Sequence, residues 1–153
     1  MAAQQAKFTD NKYSREHSWK FDGGAEIAAS ASPHIVPLPY SNPAYIDPEK
    51  AFIASLSSCH MLWFLSIAAK HKFIVDSYVD RAIGLLDKNE EGKLAITKVN
   101  LRPHVIFTGD NLPTDKQIEE MHETAHHNCF IANSVKTEIL IEMVAFSPRK
   151  ITQ

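Results

Sequence analysis

Two cysteines and eight histidines are the side chains here that could do covalent or metal chemistry. Cys59 and Cys129 could form a redox pair. A thiol that attacks a peroxide must first be a thiolate, so a nearby cation or hydrogen-bond donors must lower its pKa. The attack leaves a sulfenic acid, which a second cysteine within reach resolves as a disulfide. Their distance along the chain does not oppose this, because folding can bring them together. The plainer reading is that both are buried thiols packed as small hydrophobes. The residue types alone leave both readings open.

The second constellation is His122-Glu123-Thr124-Ala125-His126, which matches the HExxH pattern. On a helix the two histidines share a face and can bind zinc, with the glutamate as general base. Catalytic zinc needs a third protein ligand. Cys129 and Phe130 follow where an extended pattern would need glycine and histidine, and Glu138 and Glu142 fall in a stretch that reads as strand. A looser set, His122, His126, His127 and Cys129 with Cys59 or His60, lacks the paired short spacings of structural zinc sites. A helix carrying surface histidines accounts for the pattern more simply. His60, next to Cys59, reads as a core histidine in preference to a group tuning the thiol, since it points about 100° away around a helix.

These residues need elements to hold them. Residues 6–21 read as an extended strand, Asp22-Gly23-Gly24 as a turn, and Ala25 to Ala31 as its hairpin partner. Pro33, Pro37, Pro39 and Pro43 then forbid a regular interior element. Pro48 to His71 reads as a long helix, with Asp47 as N-cap and Pro48 at the first helical position. Phe52, Leu56, Cys59, Trp63 and Ile67 fall on one face of it. Ser77 to Asp87 and Leu94 to Phe107 read as two strands of a hairpin, with Lys88 to Lys93 as its solvated tip. Pro103 predicts an edge or bulge in the second strand. Thr114 or Asp115 caps a second helix running to about Asn128, and Glu138 to Phe146 reads as a closing strand. The order predicts an α+β fold over a single domain, 1–153. The long helix is apolar around most of its circumference and needs more cover than one small sheet supplies, so a homodimer is expected.

Composition narrows the class. The chain has 153 residues, enough for a core without disulfide staples. A formal charge of −2 provides no basic surplus for phosphates, so no nucleic-acid partner is expected. Ala51 to Ala69 lacks Asp, Glu, Lys and Arg and is long enough to span a bilayer. It carries Ser55, Ser57, Ser58, Cys59, His60 and Ser66, however, and reads as a core helix instead of a membrane span. Met1 to Asp10 lacks the apolar run of a signal peptide, so a cytoplasmic location is expected.

Asp47-Pro48-Glu49-Lys-Ala-Phe52 followed by Ala54-Ser-Leu-Ser-Ser-Cys59 resembles the Pro-Glu…Cys helix of the OsmC/Ohr family, the osmotically inducible protein C and organic hydroperoxide resistance proteins. Tyr13-Ser-Arg15-Glu-His-Ser-Trp19-Lys-Phe-Asp-Gly-Gly24 resembles the family's opening strand. His126-His127-Asn128-Cys129, with Ser134 and Val135 after it, resembles the second-cysteine helix. In many members Pro follows that cysteine, whereas Phe130 follows it here.

The resemblance implies an intertwined α+β homodimer with antiparallel sheets, a long central helix carrying Cys59 and a second helix carrying Cys129. It implies a thiol peroxidase acting on organic hydroperoxides and H₂O₂, reduced by a dithiol that is lipoyl-linked in some members, with no metal and no bound organic cofactor. Cys59 would be the peroxidatic thiol and Cys129 the resolving one. Arg15 would stabilise the thiolate, and Glu49 would fix the guanidinium. In one unbroken helix residues ten apart lie about 15 Å apart along the axis, so Glu49 would need a break in the helix or another subunit to reach Cys59. Phe52, Trp63, Phe64 and Phe130 could wall an apolar pocket for the alkyl chain. The alternative is a non-catalytic ligand-binding or redox-sensing member of the same fold, in which Cys59 titrates as an ordinary thiol. A zinc hydrolase using His122, Glu123 and His126 is the lesser alternative.

Overall fold

The computed structural model describes residues 7–143. The described residues fall into two compact units, divided between Phe52 and Ile53. Each is described by itself.

In the first unit a 3-10 turn at Phe8–Asp10 precedes two short antiparallel strands, β1 (His17–Lys20) and β2 (Glu26–Ala29). The turn between them needs Gly24, whose φ of 98° suits a residue without Cβ. The expected strand over 6–21 is thus only four residues long. Arg15 and the residues before it bond to their own neighbours and to the Tyr40 carbonyl, not to a strand partner. The proline-bearing stretch forms turns, as expected, and returns to β2 through a parallel bridge from Ile46 to Ala29.

Helix α1 spans Pro48–Lys70. Its start follows the sequence: the Asp47 carboxylate accepts the Lys50 N–H at 2.8 Å. Its covered face does not. The buried residues are Leu56, His60, Phe64 and Ala68, a stripe stepping by four, while Cys59, Trp63 and Ile67 are half-buried beside it. Apolar residues surround this helix on nearly every side, so pattern alone could not choose the face.

In the second unit the two predicted strands are four: β3 (Ile74–Asp80), β4 (Ile83–Lys88), β5 (Leu94–Leu101) and β6 (Pro103–Thr108). Both predicted strands break at the same level, at Arg81-Ala82 and at Arg102. Asp80 organises that level, accepting the Arg102 N–H at 2.7 Å and the Ser57 hydroxyl. β3 pairs with β6, and β4 with β5, both antiparallel. Lys88 to Lys93 is the exposed tip of the β4–β5 hairpin, as read. Helix α2 (Asp115–Asn128) starts with a capping box, Thr114 Oγ1 accepting the Gln117 N–H and Gln117 Oε1 accepting the Thr114 N–H. The closing strand β7 (Glu138–Ile141) lies parallel to β5, a departure from all-antiparallel sheets. The predicted continuation over 144–146 lies outside the described residues.

The core joins α1, α2 and the β3–β6 pair through Phe64, Ala68, Phe73, Val105, Phe107, Ile118, Met121 and Ala125. On the other pair, Gly84 leaves the space that the Ile53 side chain enters. A Cβ there would lie 2.4 Å from Ile53 Cδ1.

Candidate functional site: two cysteines and a turn of backbone amides

Cys129 is the last cap of α2, with its N–H bonded to the His126 carbonyl at 3.3 Å. The helix therefore presents the second cysteine at its end instead of carrying it within. No glycine ends this helix. The chain leaves through a 3-10 turn at Ala132–Ser134, tied by its own side chains. Ser134 Oγ donates to the Phe130 carbonyl at 2.7 Å, and Asn133 Nδ2 to the His127 carbonyl at 3.1 Å. The Ala132 N–H points at Cys129 Sγ at 3.4 Å.

This turn brings Cys129 to Cys59. Burial pushes the Cys59 thiol up. Hydrogen bonds from the Ile131 N–H, the Cys129 thiol and the Phe130 N–H outweigh that and hold it below the ordinary range. Cys129 moves the other way. It is buried, and a Cys59 thiolate beside it opposes its ionisation, although the Ala132 and Ile131 N–H groups partly offset both. One thiol is thus poised to ionise and its neighbour to keep its proton. The sequence pointed to both cysteines but not to the amides, because a backbone N–H carries no residue-type signal.

The four aromatic residues expected around the site separate. Trp63 and Phe130 meet edge to face, with ring centroids 5.5 Å apart. Phe64 is fully buried, stacked on His122 at 4.2 Å, and belongs to the core and not to a pocket wall. Phe52 is half-buried at the end of the first unit.

Arg15 and Glu49 lie in the first unit and line one cavity of about 420 Å³ there, with Tyr13, Glu16 and His17. They do not form the expected ion pair within the chain. The Arg15 guanidinium lies 3.6 Å over the Tyr13 ring and donates to the Tyr13 carbonyl, to the Asn11 carbonyl at 3.0 Å and to Asn11 Oδ1 at 2.9 Å. Burial, with Asp47 close by, pushes the Glu49 carboxyl up against an opposing backbone hydrogen bond, and Oε2 is buried without a partner. Helix α1 is unbroken from Pro48 on. The route to Cys59 through a break after Glu49 is therefore closed.

The histidines take another role. His60 and His122 are buried, with His60 Nε2 2.9 Å from His122 Nδ1. Burial lowers both, to about 4 for His60 and about 3 for His122; His126 also lowers His60 while Asp80 opposes the shift, and His60 further lowers His122. His60 is the core histidine expected. His122 is its hydrogen-bond partner, while Glu123 is exposed. No three His, Cys, Asp or Glu side chains are grouped to hold a metal ion among the described residues, so the HExxH reading finds no third ligand.

Residues 41–144 match the model of the family described as OsmC-like protein. An OsmC-like protein of unknown function from Vibrio cholerae is 59% identical, with a TM-score of 0.91 over 93% of this chain and 92% of that one. An organic hydroperoxide resistance protein from Elizabethkingia anophelis, crystallised with thiocyanate bound, shares the fold at 20% identity, with a TM-score of 0.65 over 84% of this chain and 86% of that one. A putative organic hydroperoxide resistance protein from Vibrio cholerae, with captopril in one of its active sites, is 19% identical, with a TM-score of 0.64 over 85% and 83%. No curated protein matches. The α+β fold, two helices with largely antiparallel strand pairs, agrees with these structures, and by the family model and the 59% relative the chain belongs to the OsmC-like family.

Proposed function

We propose that this protein is a thiol peroxidase that reduces organic hydroperoxides and H₂O₂ in oxidative-stress defence. The observation that carries the reading is the Cys59–Cys129 pair, with the two thiols pushed in opposite directions. The Cys59 thiolate attacks the OH-bearing peroxide oxygen. The S–O bond forms, the O–O bond breaks, and the alkoxide takes a proton to leave as the alcohol. Cys129 then gives up its proton and attacks the sulfenic sulfur, releasing water and forming the disulfide. A dithiol, lipoyl-linked in some relatives of this family, returns both cysteines to thiols by exchange. The likeness to an organic hydroperoxide resistance protein and to a putative one supports the substrate class.

In this reading the protein is a cytoplasmic homodimer, and Arg15 and Glu49 act on a Cys59 thiolate as an activating pair, Glu49 from the partner subunit. The exposed apolar side chains of the second unit, among them Leu62, Ile83, Leu85 and Leu94, support an association of copies. The non-catalytic alternative predicted an ordinary Cys59 thiol, and the lowered Cys59 speaks against it.

The test is consumption of cumene hydroperoxide and H₂O₂ with a dithiol reductant. Wild type turns over both, the organic peroxide faster, and Cys59→Ser turns over neither. A wild type with intact thiols and no consumption overturns the peroxidase reading and leaves a binding or sensing protein.

A further inference from the structure

The turn after Cys129 has hydrogen bonds within itself and back to α2. Besides the hydrogen bonds onto Cys59, an aromatic contact ties it to α1. Trp63 is one helical turn beyond Cys59, on the same side of α1. It meets Phe130 edge to face, the arrangement that aromatic quadrupoles favour. Phe130 is otherwise 67% exposed, and its ring lies against Trp63. Its own N–H is one of the donors on Cys59, and the next residue supplies another.

We propose that Trp63 and Phe130 are positioning residues for the reactive thiol: their contact clamps the turn so that the Phe130 and Ile131 N–H groups face the Cys59 sulfur. The inference rests on the peroxidase reading, in which Cys59 is the nucleophile. Position 130 then has two duties. Its ring anchors the turn, and its backbone must keep a hydrogen, which proline lacks.

The experiment is the rate of iodoacetamide alkylation of Cys59 in the full chain, followed across pH by the mass of the Cys59 peptide. Alkylation follows the thiolate. Phe130→Ala keeps the N–H but loses the clamp, and should slow alkylation below neutral pH by about threefold to tenfold, the weight of one or two hydrogen bonds. Better access alone would speed it, so the direction separates the two effects. Phe130→Tyr should restore the wild-type profile, and Phe130→Pro should be slower than Phe130→Ala. A wild-type profile in Phe130→Ala, or a Phe130→Tyr protein as slow as Phe130→Ala, overturns the proposal. Alkylation uses no peroxide. A protein inert to hydroperoxides that still shows this pattern loses the peroxidase reading and keeps the clamp. An active peroxidase with unchanged alkylation does the reverse.

Discussion

The Cys129 thiol donates its hydrogen to the Cys59 sulfur; the contact joins the Ile131 and Phe130 N–H groups in lowering one thiol and joins burial in raising the other. Cys129 therefore acts twice, first as a donor that favours the thiolate and later as the nucleophile that closes the disulfide. Cys129→Ala should remove both actions. Cys59 should titrate higher, and a sulfenic acid at Cys59 should persist after one equivalent of peroxide and be captured by dimedone. Dithiol-driven turnover should fall by about tenfold or more. Undiminished turnover in Cys129→Ala would show that Cys129 is not the resolving thiol.

His60 and His122 share one hydrogen bond between two neutral rings, one donating and one accepting. Both folded pKa values lie below the 6.5 of a free imidazole, at about 4 and about 3. The unfolded chain takes up protons below pH 6.5 that the folded chain does not. The pair's stabilisation is thus complete above about 6.5 and is lost as pH falls toward about 4, with a slope of about 1.4 kcal/mol per pH unit per ring. Urea midpoints should drop from pH 7 to pH 5 in the wild type. In His60→Leu/His122→Leu the drop should largely vanish, and an equal drop there would remove the pair from the account.

Glu49 and Cys59 stand ten positions apart on one unbroken helix. If both act at one site, they come from different subunits. Glu49→Gln and Cys59→Ser proteins, each inactive alone, should regain about a quarter of wild-type peroxidase activity when mixed in equal amounts and allowed to exchange subunits, since half of the dimers are then mixed and each mixed dimer has one intact site. Mixed samples that exchange but stay inactive would refute partner-supplied Glu49.

Phe64 packs against Tyr78, Phe107 and His122 and so anchors the core. Phe64→Ala should destabilise the fold by about 3–5 kcal/mol. Thr114→Ala, which loses half of the α2 capping box, should cost about 1 kcal/mol. Both are read from chemical denaturation. A Phe64→Ala protein of near-native stability but altered substrate preference would return Phe64 to the pocket.

Local signals predicted local structure well. Asp47-Pro48 marked the start of α1, Thr114 the start of α2, and Lys88 to Lys93 the hairpin tip. What escaped depends on partners far along the chain. The breaks at Arg81-Ala82 and Arg102 are organised by Asp80, which also takes the Ser57 hydroxyl, and no neighbouring residue announces that. The parallel pairing of β7 has no local mark either. Cys59 and Cys129 were visible as candidates because thiols are rare here. His122 was visible but looked like a metal ligand, since its true partner, His60, is 62 positions away.

The place of β7 has a consequence for the integrity of the chain. β5 is flanked by β4 on one side and by β7 on the other. Its Val99 and Leu101 are buried, and β7 covers the Lys98 to Leu101 stretch of its second edge through Glu138 to Ile141. A protease cut before Glu138 would uncover that edge as a row of unpaired N–H and C=O groups on an apolar strand, a template for strand addition from another chain. Four residues near the end of the described chain thus act as a guard against aggregation. A chain clipped there should form thioflavin-positive aggregates under conditions in which the intact protein stays clear.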